Sequence, residues 1–386
     1  VRTPSVAAAT LACALVLSAC AGEGGDGATG QQGGGGLSGS SATSASGSSG
    51  TSGAASPSST SGATVTVDGA DAGMLEAVRG VYGTSGFTGK ATTGTWKGER
   101  VAVVAGGSDA TLLVGPGSGS RATWQVVGGW WPSLKREPQL GTGPRHVIVI
   151  GTDARVGKPL KGTRADTLQL VGIDTRGGAG VLGLPRDIWA PMPKRGHAKL
   201  NAAYAYAGGA GQQQAVAAVT GIPVEGYVAV GFDGFAKIVD ESGGLPMLVP
   251  KEVRLTGSDV VIPAGPQVLT GAQALAYARE RKSLPDGDFG RSRHQGELVI
   301  AAAVKARLAG VGSVPGSMTI VSKYVDTNLS ATQALTFAAA FYRVDPSRAG
   351  RQVATGSFGT SPDGQSIVIP DAKAKRTFAA FRSGRL

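Results

Sequence analysis

Hydrophobic and polar positions divide the chain into four stretches. An uncharged, largely apolar run covers Val6 to Leu17, and residues 21–63 that follow are almost wholly Gly, Ser, Ala and Thr, with Glu23 and Asp26 the only charges. From Thr64 to Pro138, the short apolar runs "TVTV", "ERVAVVAGG", "ATLLVG" and "ATWQVV" are separated by the turn signals "GGSD" and "GPGSGS". That alternation predicts a small β-rich region over 64–138. From Pro144 the pattern changes again: "HVIVIG", "TLQLVGI" and "VLGL" are strand-like, and "QQQAVAAVT", closed by Gly221, has helical spacing. Further along, "EGYVAV" predicts a strand, "FDGFAKIVDESGG" a helix and "LPMLVP" a strand. Thr270 with Gln273, and Ser330 with Gln333, stand at capping-box spacing, so each opens a helix. A long helix is predicted from about Ser292 to Leu308, stopped by Gly310, with Lys305 and Arg307 in its last turn. Strands interleaved with helices predict an α/β sandwich over 144–386.

The first apolar run is too short for a permanent bilayer span and has the size of a secretory signal core. "LSAC", ending at Cys20, resembles the lipobox of bacterial lipoproteins, whose cysteine is diacylated and becomes the mature N-terminus. An ordinary signal peptide cleaved near Ala21 is the alternative. Residues 21–63 bury too little apolar surface to offset the entropy of ordering, which predicts a flexible tether. The chain of 386 residues is 41% hydrophobic, enough for one large domain or for a large and a small one. Its only cysteines are Cys13 and Cys20, so disulfides and thiolate metal sites are excluded from the region beyond them. The formal net charge is +11; Arg2, Glu23 and Asp26 contribute −1 of it, leaving +12 on residues 64–386. A basic exported domain implies an anionic partner, phosphate-rich glycans or lipid headgroups rather than nucleic acid.

The stretch "RADTLQLVGIDTRGGAGVLGLPRD", residues 164–187, carries an Arg near an Asp at both open ends of what looks like a hairpin. If strands near 146–151, 167–173 and 180–184 form a meander, one rim collects Asp153, Arg155, Arg164, Asp166, Arg186 and Asp187. Such a rim is either a ring of surface salt bridges or a site for a divalent metal and a diphosphate. Mg²⁺ takes one or two carboxylates together with phosphate oxygens, and planar guanidiniums meet phosphate oxygens bidentately. A second basic group lies in "YARERKSLPDGDFGRSRHQ". Arg279 and Arg281 share a face if the chain leaves its helix extended after Ala278, while Arg291, Arg293 and His294 open the next helix, whose N-terminus favours anions. "GPGSGS" lacks a following helix and a Lys-Ser/Thr pair, so it is a hairpin turn rather than a phosphate cradle. Trp130 and Trp131 are expected to pack the small region onto the larger one, sugar stacking being the alternative.

The ordered motifs "VIGTDAR", "TRADTLQLVGID", "LGLPRDIW", "KLNAAYAYAGG", "VAVGFDGFAKIVDESGG", "LTGAQALAYARERK" and "DFGRSRHQ" resemble the LytR-CpsA-Psr family of cell-wall glycopolymer ligases. The resemblance covers about 144–310, with the tail to 386 completing the domain. It implies a three-layer α/β/α sandwich with a mixed central sheet and an apolar tunnel for polyprenyl pyrophosphate lipids. The activity it implies is a phosphotransferase: a glycan phosphate passes from an undecaprenyl- or decaprenyl-pyrophosphate carrier to peptidoglycan, releasing the lipid monophosphate. Carried over by position, Asp153 and Asp166 look like ligands of Mg²⁺ or Mn²⁺. Arg164, Arg186, Arg279, Arg281 and Arg291 look like the pyrophosphate clamp, with Arg155 and Lys199 nearby and Gln295 the polar residue after the last family arginine. Asp166 is the first choice to accept the acceptor hydroxyl's proton and Asp187 the second.

In the last motif His294 stands where the family has a second arginine, so either Arg293 replaces that arginine or a protonated His294 donates, making the clamp pH-sensitive. The lipobox also departs from the membrane helix of many members. The expected location is the outer face of the cell membrane, held through the Cys20 lipid. Competing functions are a hydrolase of the same lipids, with water as acceptor, and a non-catalytic lipid- or glycan-binding lipoprotein. A nucleic-acid-binding regulator conflicts with export and with the lack of a helix-turn-helix or stacking motif.

Overall fold

The computed structural model describes residues 64–386 apart from 117–122, 155–159, 161, 175, 255–259 and 282–283, so the expected signal, Cys20 and the tether lie outside the described residues. The N-terminal region comprises β1 (Val65–Asp68), α1 (Ala72–Tyr82), β2 (Phe87–Trp96), β3 (Glu99–Gly106), β4 (Asp109–Gly115), β5 (Gln125–Trp131) and β6 (Arg136–Gln139). These strands form a six-stranded sheet in sequence order. The helix α1 is an addition to the expected all-strand pattern. Asp71 caps it, accepting a hydrogen bond from the Met74 N–H, and its Met74, Val78 and Val81 pack on one face of the sheet.

The larger region opens with β7 (Arg145–Thr152), β8 (Ala165–Ile173) and β9 (Ala179–Gly183), followed by the hairpin β10 (Trp189–Met192) and β11 (Arg195–Lys199). Next come α2 (Ala202–Thr220), β12 (Gly226–Gly231), α3 (Phe232–Glu241), β13 (Leu245–Val249), β14 (Val253–Arg254), β15 (Val261–Ile262) and β16 (Gly265–Leu269). The chain continues through α4 (Gly271–Arg279), α5 (Asp288–Ala309), α6 (Val314–Ser322), β17 (Val325–Thr327) and α7 (Ala331–Arg343). It ends in β18 (Gly350–Val353), β19 (Gly356–Thr360), β20 (Ser366–Pro370) and α8 (Ala372–Phe381).

The central sheet runs β17-β12-β7-β8-β9-β18. It is mixed: β7, β8 and β9 form the expected antiparallel meander, whereas β12 and β18 join β7 and β9 in parallel. Central β7 is buried on both faces, hence its continuous apolar run. Side chains alternate across it: Val147 and Val149 join a core with α3, α4, α5 and α7, while Ile148 and Ile150 join a core with α2 and α8. The result is the three-layer α/β/α sandwich, and β18, from the tail, completes the sheet. Both capping boxes form as the spacing predicts, and Gly221 takes the left-handed conformation (φ 65°) that ends α2.

The small region is fused to the large one. Trp96, Val101, Val103 and Leu112 belong to the same core as α5 and α7, and Trp130 stacks on Tyr342 at 6.2 Å. Trp131 points the other way, into the α1 core, and donates to the Thr111 hydroxyl at 2.9 Å. Strand β2 meets α6 so closely at Gly94 that a Cβ there would lie 2.0 Å from the Pro315 carbonyl oxygen, and only glycine allows that approach.

Candidate functional site

The rim where β7 ends and β8 begins carries a β-bulge. Gly151 pairs with Thr167 and Thr152 with Ala165, so Asp166 is the extra residue with no partner across the ladder. A bulge re-aims a side chain, and here it frees Asp166 from the sheet pattern. Its Oδ1 accepts a hydrogen bond from Arg186 Nη1 at 2.5 Å. Arg186 follows β9, which returns to the same rim, and its Nε lies 3.9 Å from Asp187 and 3.8 Å from Asp288. Lys199, at the end of β11, reaches Asp187 Oδ1 at 2.9 Å. Arg291 pairs with Asp288 at 2.7 Å and donates to the Asp166 carbonyl at 3.4 Å.

Arg186 is therefore the hub of three carboxylates. Burial opposes its charge, but Asp166, then Asp288 and Asp187, outweigh that and hold the guanidinium above its usual range. Arg291 goes the other way: burial lowers it, and the nearby charges of Arg186 and Arg281 reinforce the effect against Asp288. It remains charged, as arginine does, and stands in the cavity wall paired with Asp288. Arg186 Nε and Asp288 Oδ1 are buried and make no aligned hydrogen bond in the structure.

Helix α4 supplies the second arginine group. Its last residue is Arg279, and Glu280 is already extended (φ −63°, ψ 130°), so Arg281 follows two positions along an extended step. The Arg279 guanidinium rests 4.5 Å over the Phe232 ring. Helix α5 begins at Asp288, one turn before the predicted start, which puts Arg291 in its first turn. Gln169 of β8 fixes this helix on the sheet through hydrogen bonds of 3.1 Å to the Ser292 carbonyl and hydroxyl.

These elements line a cavity of about 310 Å³. Its wall combines the polar Asp166, Arg186, Arg279, Arg281, Arg291 and Gln295 with the apolar Val149, Val230, Phe235, Leu275, Leu298 and Val299. Four arginines against one aspartate suit an anion, and the apolar side chains suit a hydrocarbon tail.

The remaining expected residues are placed elsewhere. Asp153 and Arg164 are exposed and not in the cavity wall; Asp153 Oδ1 accepts from the Arg164 backbone N–H at 3.1 Å. Arg155 lies outside the described residues. Arg293 pairs with Asp286 at 2.6 Å, and His294 is buried with its ring stacked on Tyr277 at 4.1 Å. Both border a second cavity with Lys251 and Arg254 and neither lines the cavity that Arg291 lines. Burial also holds His294 below the ordinary histidine range, against a protonated donor. Asp288 is the site residue the motif reading passed over. Its signal was present, an acid three residues before Arg291 in "DFGRSRHQ".

The chemistry of the donor set fits a hard dication. Asp153 and Asp166 stand on adjacent strand ends, and two carboxylates leave the remaining positions to phosphate oxygens and water. Among the described residues, no three His, Cys, Asp or Glu side chains gather into a self-sufficient metal cage.

The site is thus an arginine-rich cavity, partly lined by apolar side chains, at the rim of a mixed sheet in a three-layer α/β/α sandwich. The LytR_cpsA_psr family model matches residues 131–379, and the chain belongs to that family. It is similar to the polyisoprenyl-teichoic acid–peptidoglycan teichoic acid transferase TagU of Bacillus mycoides (strain KBAB4), with 32% identity over 193 residues. That match covers 49% of this chain and 62% of TagU, so the chain spans about six-tenths of this relative's length. The crystal structure of B. subtilis TagV superposes with a TM-score of 0.54 and 26% identity, covering 63% of this chain and 96% of TagV. The structure of TagT bound to LI-WTA gives 0.53 and 25%, covering 64% and 92%.

Proposed function

We propose that this protein transfers a glycan phosphate from a polyprenyl-pyrophosphate carrier, undecaprenyl or decaprenyl, to peptidoglycan outside the cell membrane. The observation that carries the reading is the mixed lining of one cavity: four arginines together with apolar side chains suit a diphosphate joined to a hydrocarbon chain. The matched relatives, named as teichoic acid transferases, support the same chemistry. An acceptor hydroxyl attacks the glycan-linked phosphorus, a P–O bond forms, and the bridging P–O bond breaks with its electrons leaving on the lipid monophosphate. Asp166, in the cavity wall, accepts the hydroxyl proton, while Asp187 and Lys199 brace Arg186 from outside the wall. Arg186, Arg279, Arg281 and Arg291 neutralise the charge that grows on the leaving phosphate, and little covalent chemistry is asked of the protein. Asp153 and Asp166 would hold Mg²⁺ or Mn²⁺, which when bound neutralises phosphate charge further. Cys20 is the expected lipid anchor, and no single described helix is long and apolar enough to cross a membrane.

The deciding experiment incubates the full chain with radiolabelled lipid-linked glycan, with and without peptidoglycan. Label on peptidoglycan with release of polyprenyl monophosphate is the expected result. Equal release without peptidoglycan would make the protein a hydrolase, and no release at all would leave it a binding protein.

A further inference from the structure

The two-stranded ribbon of β13 and β16 is apolar on both faces. Its register pairs Pro246 with Val268 and Leu248 with Pro266, so these four side chains share one face. All four are exposed, Leu248 by 68% and Val268 by 62%. On the inner face Leu245, Val249 and Leu269 are buried in the core that holds the cavity residues Phe235, Leu298 and Val299, and β13 packs along α5, which carries the last two. A ribbon with one face in water alternates apolar with polar residues, whereas the run "LPMLVP" is the pattern of a strand covered on both sides. The apolar surface extends toward the end of α5. Val268 packs on Gly244, where a Cβ would lie 2.8 Å from its Cγ1, and the Gly244 carbonyl accepts a hydrogen bond from Lys305 Nζ. Leu308, one turn further along the helix, is 82% exposed. Lys305 and Arg307 stand at this end of the ribbon, and Lys251 and Arg254 follow β13 at the other. The acids Glu241 and Glu252 are paired with Lys323 and Arg254, each at 2.8 Å.

We propose that the outer face of this ribbon docks the protein on the leaflet of the membrane that holds the lipid donor. The inference rests on the transfer reading above and adds how the site meets a substrate whose tail is embedded in a bilayer. A cavity of about 310 Å³ is far smaller than a polyprenyl tail, so most of the tail stays in the bilayer while the diphosphate is held. The molecule then rests on the bilayer close to the cavity, and the ribbon adjoins the cavity's core with one face while offering apolar side chains with the other. Exposed Leu, Val and Pro side chains with Lys and Arg at both ends suit the boundary between acyl chains and anionic headgroups. Pro246 and Pro266 have no N–H to give an added strand, which disfavours a second copy pairing along either edge of the ribbon.

Hydrogen exchange of the full chain, with and without vesicles of equal parts phosphatidylcholine and phosphatidylglycerol, tests the face segment by segment. Vesicles are expected to slow exchange in 245–249 and 265–269. Unchanged exchange in both strands overturns the proposal, wherever else the chain is protected. Slowing that appears without vesicles as the protein is concentrated would assign the face to a second copy and overturn it equally. Transfer is then compared with two donors, the full-length polyprenyl donor in the same vesicles and a short-chain donor soluble in water. In Leu248→Asp and Val268→Asp, transfer from vesicles should fall about tenfold. Transfer from the soluble donor should stay within about twofold, because neither side chain lines the cavity. The milder Leu248→Ser keeps the comparison informative if an aspartate variant folds poorly. Unchanged transfer from vesicles in all three variants, or equal losses with the two donors in Leu248→Ser, overturns the docking face. Should the wild type transfer from neither donor, the transfer reading fails on its own, and the exchange experiment alone judges the face.

Discussion

Four of the polar side chains in the first two turns of α5, all from a single motif, part to two sides of the helix. Arg291 and Gln295 line the site cavity, whereas Arg293 and His294 border a different one. Helical phase accounts for the division: a four-residue step returns to within about 40° of the same direction, and a two-residue step lands about 160° away. His294 falls to the near flank, where Tyr277 covers it. A cluster of cations in sequence is thus not a cluster in space. Once the helix start is known, the phase separates Arg293 from Arg291, and the Tyr277 ring takes His294 out of the cavity wall.

The sharpest way to break this comparison is to remove one arginine from each side. Arg291→Ala deletes a buried charge-assisted partner of the anion, so transfer (kcat/KM) should fall about tenfold to about 150-fold, the equivalent of about 1.5–3 kcal/mol. Arg293→Ala breaks only a half-exposed pair with Asp286 and should stay within about twofold. Equal losses in the two variants, measured as initial rates at matched folding, would mean that both sides of α5 contact substrate.

A smaller effect is expected from Asp288→Asn. The substitution keeps shape but removes the charge that pairs with Arg291 at 2.7 Å, so the arginine loses its alignment while the other three remain. A loss of about three- to tenfold in kcat/KM, with unchanged acceptor KM, would place Asp288 behind Arg291 as a positioning group. A rate equal to wild type would show that Arg291 is held by its packing alone.

The smallest effect belongs to His294 and is read in stability rather than turnover. Burial keeps the folded-state pKa below the ordinary 6.5, with Glu297 and the Tyr277 carbonyl pulling weakly the other way and Arg293 and Asp286 acting from further out. A histidine held low leaves stability intact above its unfolded value. As pH falls below about 6.5 the unfolded chain takes up the proton first, and stability is lost until the folded value is passed. His146, also lowered by burial, adds to the same decline. Urea unfolding at about pH 7.5 and about pH 5.5 should show the decline, and His294→Gln should shrink it without changing the shape of the pH–rate profile. A shifted rate profile in that variant would put His294 back in the clamp.

Much of the architecture was legible before any coordinates. Capping boxes at Thr270 and Ser330, the αL glycine after α2 and the buried run of β7 follow from neighbours within a few residues, and the meander of β7, β8 and β9 from the succession of three apolar runs. Of the site, the sequence motifs identified Asp166, Arg186, Arg279, Arg281, Arg291 and Gln295, all of which the cavity collects. One difference follows from a boundary: α5 starts at Asp288 instead of Ser292, which brings Asp288 to the arginines and turns Arg293 away from the cavity that Arg291 lines. A gap of similar kind left α1 unassigned, its Asp71 cap standing among residues otherwise patterned for strands.

What the sequence by itself determined is local: which segments are strands or helices, where they are capped, and which side chains bring charge. Those choices depend on backbone conformation and on contacts a few positions apart, and both are written in the order of residues. Tertiary structure alone decided that the bulge frees Asp166, that α4 and α5 deliver their arginines to the rim built by β8 and β9, and that Gly94 lets the small region merge its core with the large one. Each of those outcomes depends on groups far apart in the chain being brought to van der Waals distance, where excluded volume and the pairing of buried charge select one register among several that local preference leaves equal.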